Sequence, residues 1–115
     1  MVPLLFFAGN AMGQIDFYFE DFESATGDDE TLIEDDLSGW TNYNEEGTVG
    51  WVSNSYSGNT YAEMASYNTG EKNVTWLVTS GIDLSNFSDA AFSFSVKVGY
   101  WTHNGLSVYV SNDFD

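Results

Sequence analysis

An all-β fold, a jelly-roll-like antiparallel β-sandwich, is what this chain of 115 residues predicts. Three observations carry that expectation. Phe92, Phe94, Val96 and Val98 alternate with Ser93, Ser95 and Lys97, and Leu106, Val108 and Val110 alternate with Ser107 and Tyr109. Successive side chains of a strand point to opposite faces of a sheet, so both runs read as half-buried strands. No stretch sustains apolar residues at i, i+3 and i+4, so no substantial helix is expected. Roughly seven short β-type runs recur about every ten residues between turn-forming clusters, the spacing of a sandwich or barrel.

Taken in order, Ile15, Phe17 and Phe19 alternate with Asp16 and Tyr18, which predicts a first strand over 15–19. Residues 24–38 (SATGDDETLIEDDLS) are acid-rich with few apolar anchors and predict a loop, with one short helical turn over 31–36. Short strands are expected over 40–43 and 49–53, joined by the turn-like Asn44-Glu45-Glu46-Gly47. Residues 53–59 (SNSYSGN) read as loop, 60–67 as a strand and 68–73 as a turn. The β-branched run 74–79 (VTWLVT) predicts a strand covered on both faces. Ser80-Gly81 breaks it before Ile82-Asp83-Leu84, and residues 85–89 lead onward. The two alternating runs near the C-terminus, joined by 99–105 with glycine at both ends, predict a hairpin with a long aromatic-tipped loop.

Composition sets the limits on function. Eighteen acids against two bases give a formal charge of −16. Nucleic acid and anionic membrane surfaces would be repelled by it, and a divalent cation would be attracted. Cysteine is absent, so neither a disulfide nor a thiolate is available. The apolar run 2–8 (VPLLFFA), followed by the small-x-small triplet Ala11-Met12-Gly13, reads as the end of a secretory signal peptide over 1–13, although no basic residue precedes it. A strand in the same place is the alternative. The run is too short to span a bilayer as a helix, and the chain is expected outside the cell or on its surface.

Several separated motifs then fall into one order: Glu20-Asp21-Phe22-Glu23, Gly39-Trp40, Gly50-Trp51, Trp76-Leu77-Val78-Thr79 before Ile82-Asp83-Leu84-Ser85, and the two alternating runs. This order, over residues 16–113, resembles the choice-of-anchor J and cleaved-adhesin domains of secreted Bacteroidota proteins and, more distantly, the MAM domain. The resemblance implies a jelly-roll sandwich that is extracellular, often calcium-binding, non-catalytic, and one module of a larger surface protein. Such domains continue past the strand that matches 106–111. Residues 14–115 are therefore expected to form the N-terminal part of an adhesin-like domain that lacks its closing strands, a fragment whose open edges would invite aggregation.

Two candidate sites follow. Calcium takes about six to eight oxygen ligands, which clustered carboxylates and carbonyls supply. Glu20, Asp21 and Glu23 are the candidate metal ligands; strand geometry would send Asp21 and Glu23 to one face and Glu20 with Phe22 to the other. The resemblance favours calcium near this motif, while a solvated acidic strand end is the plain alternative. Tyr100, Trp101 and His103, on the 99–105 loop, are candidates for stacking on sugar rings or docking a protein partner. They could equally fold back to cap the core. The acidic run 28–36 lacks an EF-hand pattern and reads as a solvated charge run.

Support for catalysis is thin. No G-x-S-x-G elbow, cysteine or phosphate loop occurs, and His103 is the only histidine. The residues point to a non-catalytic secreted or cell-surface binding module for adhesion or glycan attachment, stabilised by calcium. Its partners would be a surface glycan, an extracellular protein or other domains of a parent chain. The alternatives are an accessory domain of a secreted hydrolase or peptidase, and a structural spacer.

Overall fold

The β-branched run 74–79 and the alternating residues 15–19 and 92–94 lie in strands, whereas the alternating residues 95–98 and 106–110 do not. The computed structural model of the chain describes residues 4–10, 13–99 and 105–113, with side chains described from residue 18 onward. Its elements are β1 (Leu4–Asn10), β2 (Gly13–Glu20), β3 (Asp28–Leu32), α1 (Ile33–Asp36), β4 (Trp40–Glu46), β5 (Val52–Tyr56), β6 (Asn59–Glu63), β7 (Val74–Thr79) and β8 (Asp89–Phe94). The fold is all-β and sandwich-like, as expected, with antiparallel sheets in the orders β2-β1-β8, β3-β5-β6 and β4-β7.

A small core joins the three sheets. Phe22, Ile33, Trp40 and Ala62 are buried, and Tyr18, Leu37, Trp51 and Leu77 pack around them. Trp40 and Leu77 come from β4 and β7, Ala62 from β6, and Tyr18 from β2. Burial pushes the Tyr18 hydroxyl above its ordinary range, and the nearby Glu20 charge adds to the effect.

Several expectations are corrected. The 92–110 hairpin does not form: β8 ends at Phe94 and pairs with β1, and residues 105–111 join no strand. Val108, Tyr109 and Val110 are exposed there. Alternation makes a run capable of pairing, but only a partner in register makes it a strand. The apolar N-terminal run, for which a leader and a strand are the two readings, lies here as the middle strand of β2-β1-β8. Within the expected 24–38 loop, residues 28–32 pair with β5, and the expected helical turn is α1. The expected 53–59 loop is a tight hairpin between β5 and β6. Ser57 and Gly58 both take positive φ, 52° and 77°, as a twisted two-residue turn needs. Residues 44–46, read as a turn, continue β4, and β6 stops at Glu63 rather than running to residue 67.

The loop between β2 and β3 is held by a buried hydroxyl. Ser53 is fully buried; its Oγ accepts from the Gly27 N–H at 2.9 Å and donates to Asp36 Oδ2 at 2.9 Å. Asp36 also accepts from the Thr26 N–H at 2.9 Å and faces the Thr26 hydroxyl at 2.5 and 2.6 Å. Ser53→Ala is expected to cost about 1–3 kcal/mol, because the part-buried Gly27 N–H and Asp36 carboxylate both lose a partner. Chemical denaturation of the two chains measures this. The hydrogen bonds from Thr26 hold the Asp36 carboxyl below its ordinary range, with burial opposing them and Ser53 adding to them. A lowered carboxyl contributes stability above the unfolded value, near pH 4, and loses it as pH falls through the folded value. Asp36→Asn should flatten the fall of Tm below pH 4. It should not abolish it, since Asp28 and Asp83 are lowered in the same direction by Thr31 and Ser85.

Candidate functional site: an aromatic platform on the β4–β7 sheet

Antiparallel partners directly opposite each other share a face. In β4–β7, Trp40 opposes Thr79 and Asn42 opposes Leu77. Trp40 is a core residue and Leu77 packs on the core, so that face looks inward. The intervening pairs, Thr41 with Val78 and Tyr43 with Trp76, therefore belong to the other face. Tyr43 is 61% exposed there. Trp76 is half-buried, and its ring meets Tyr109 at a centroid distance of 5.1 Å and an interplanar angle of 46°. Glu45 Oε2 accepts from Trp76 Nε1 at 2.9 Å, fixing the indole's rotation. Tyr43, Trp76 and Tyr109 thus form an aromatic surface edged by a carboxylate.

Apolar ring faces flanked by hydrogen-bonding groups can stack on the C–H face of a sugar ring, or receive a flat apolar side chain. Beside the platform, Lys72 Nζ and Glu46 Oε1 form an exposed ion pair at 2.7 Å. An exposed pair of this kind contributes little to stability, but it neutralises one carboxylate near the platform. Elsewhere, an open depression of about 470 Å³ is lined by Asp29, Glu30 and Glu63 with Leu32, Val49 and Val52. Its three carboxylates suit a cationic group.

The metal candidates are not brought together. β2 ends at Glu20, and Phe22 takes φ 61°, so alternation stops before Glu23. Asp21 and Glu23 therefore do not share a strand face. Glu20 turns inward, its Oε1 accepting from the Phe22 N–H at 2.7 Å and its Oε2 from Trp40 Nε1 at 3.4 Å. Asp21 Oδ1 accepts from the Glu23 N–H at 3.0 Å, within its own turn. Glu23 Oε1 reaches across to the Thr60 N–H at 3.1 Å. Each carboxylate ties a different piece of backbone or side chain. Among the described residues no group of three or more His, Cys, Asp or Glu side chains could hold a metal ion.

Tyr100, Trp101 and His103 lie outside the described residues. The meeting of the platform residues depends on register, which the sequence pattern alone does not set. The run 74–79 suggests a strand covered on both faces, yet every residue of β7 is only half-buried. The available signal was the alternation of β4, with Trp40 inward and Tyr43 three positions on. Among the described residues no helix is long and apolar enough to cross a membrane. No family model matches the chain, and neither a curated protein nor a solved structure matches it.

Proposed function

We propose that the chain is a non-catalytic binding module, exported and displayed outside the cell, that attaches to neutral glycans through the β4–β7 platform. The observation that carries this reading is the Tyr43–Trp76 pair on one solvent-facing sheet surface, with Tyr109 against the indole. The β4–β7 ladder holds two rings at the spacing of paired strands, so they are pre-organised and lose little entropy on binding. The formal charge of −16 disfavours sulfated or uronic-acid polymers and leaves neutral sugars as the matching class. The motif order that resembles choice-of-anchor J domains supports the same kind of function and an extracellular place for it. The reading rests on the rings and needs no bound ion.

Affinity electrophoresis in a β-glucan, a xylan and a mannan, paired with tryptophan emission, tests it. Retardation by at least one polymer is expected. Trp76→Ala and Tyr43→Ala should each weaken that binding at least about tenfold, equivalent to 1.4 kcal/mol, without changing Tm by more than a few degrees. Equal retardation of all three chains would remove the platform from the binding site. Absence of retardation in every polymer would remove the glycan itself.

A further inference from the structure

The middle strand of one sheet and a run elsewhere that joins no strand can each present apolar side chains at every second position. β1 lies between β2 and β8 and is antiparallel to both. Residues 106–110 (LSVYV) alternate, where β1 is apolar throughout Leu4–Ala8, and they join no strand, with Leu106 38%, Val108 49% and Val110 88% exposed. We propose that the place of β1 is exchangeable, and that residues 106–110 of the same chain take it when the N-terminal run is cut away or withdrawn.

Direction, register and charge all agree with this exchange. A chain that turns back after β8 runs antiparallel to β8, as β1 does, and so is antiparallel to β2 as well. In the present pairing Leu4, Phe6 and Ala8 oppose Phe94, Phe92 and Ala90. If Leu106 is set opposite Phe94, Val108 and Val110 fall opposite Phe92 and Ala90, the positions that Phe6 and Ala8 hold, and alternation keeps their faces matched. Between Asp89 and Asp113 the sequence has no carboxylate, in a chain of net charge −16. This stretch can therefore fold on itself without the repulsion that the rest of the surface carries. Leaving β2 and β8 unjoined would expose two strand edges, and the nearest matching run fills them. Taken with the platform reading, the exchange also draws Tyr109 off Trp76, so the N-terminal run would control the third ring of the site.

Backbone amide hydrogen exchange on the full chain tests the exchange and needs no glycan. Ala8→Pro removes a ladder donor from a central strand, away from the irregularity between Phe6 and Phe7, where proline is not accommodated. In that variant the amides of 106–110 are expected to become at least tenfold more protected, with the β4–β7 amides unchanged as a check on folding. A full chain carrying a protease site between Met12 and Gly13, cut after folding, should release its N-terminal peptide and show the same protection. Excess synthetic peptide of residues 2–10 should reverse it, and Val108→Lys should prevent it. Unprotected 106–110 amides in the cut chain would overturn the proposal. So would protection already present in the intact chain, or protection that comes with dimer formation, which would mean pairing between copies.

Discussion

Phe22→Ala is expected to lower stability by about 3–5 kcal/mol, the range for removing a fully buried aromatic side chain. Phe22 is fully buried and its ring lies 5.4 Å from that of Trp40, at the point where the three sheets meet. Only Ile33, Trp40 and Ala62 are comparably buried apolar side chains among the described residues. The loss therefore falls on a core with few other members to absorb it. Total stabilities of single domains are about 5–15 kcal/mol, so this one change could consume most of it. No relaxation offsets it, because alanine in the left-handed conformation, φ 61°, is still unfavourable. Urea unfolding followed by tryptophan emission checks the expectation: the midpoint should fall sharply with the slope preserved. Phe22→Gly separates the two contributions. Glycine relieves the backbone strain by about 1–2 kcal/mol and should be the less damaging change. If alanine and glycine destabilised equally, the strain at Phe22 would not be part of the balance.

Phe22 also shows where the sequence stops being informative. Its apolar character marks it for burial, but alternation groups it with Glu20 on a continuing strand. The left-handed φ that ends the strand and swings the ring inward is imposed by packing on Trp40, not by residue type. The same limit applies to Glu20, Asp21 and Glu23. Their clustering in sequence suggested shared ligation, yet nearby N–H groups of Phe22, Trp40, Glu23 and Thr60 take them one by one. Local chemistry was legible where one residue type decides the outcome. Alternation in β2 and at Phe92 and Phe94 of β8, and the short α1 turn, belong to that class. Ser57-Gly58 was hidden because Ser, Gly and Asn suit both loops and two-residue hairpins. The Tyr43–Trp76 platform and the β1–β8 pairing were hidden for a different reason. Both depend on which strand lies beside which, and a strand's sequence sets its faces more firmly than its neighbours.

Gly47→Ala is the second large effect expected, about 2–4 kcal/mol from backbone strain and overpacking together. Gly47 has φ +78°, and an added Cβ would overlap Asn73 Oδ1 and stand 2.6 Å from the Lys72 carbonyl oxygen. The carbonyl is backbone and cannot turn aside. Nor can the Asn73 side chain move freely, because Oδ1 accepts from the N–H groups of Thr48 and Val49 at 3.1 Å each. Its Nδ2 donates to Thr69 Oγ1 at 3.0 Å and to the Glu71 carbonyl at 3.3 Å. One asparagine therefore binds the 47–49 segment to the 69–73 turn, and Gly47 is the residue that lets the two approach. Gly70→Ala is the matched control: φ is +72°, yet nothing lies within 4 Å of its Cβ position. It should cost only the conformational share, about 1–2 kcal/mol. Glu46 opposes Val74 immediately beside this clamp, in the ladder that also sets Tyr43 opposite Trp76. Gly47→Ala should consequently weaken glycan retardation as well as stability, whereas Gly70→Ala should leave retardation unchanged. Equal destabilisation by the two substitutions would show that the Asn73 clamp does not hold this end of the sheet. Unchanged retardation in a destabilised Gly47→Ala chain would show that the platform keeps its spacing without it.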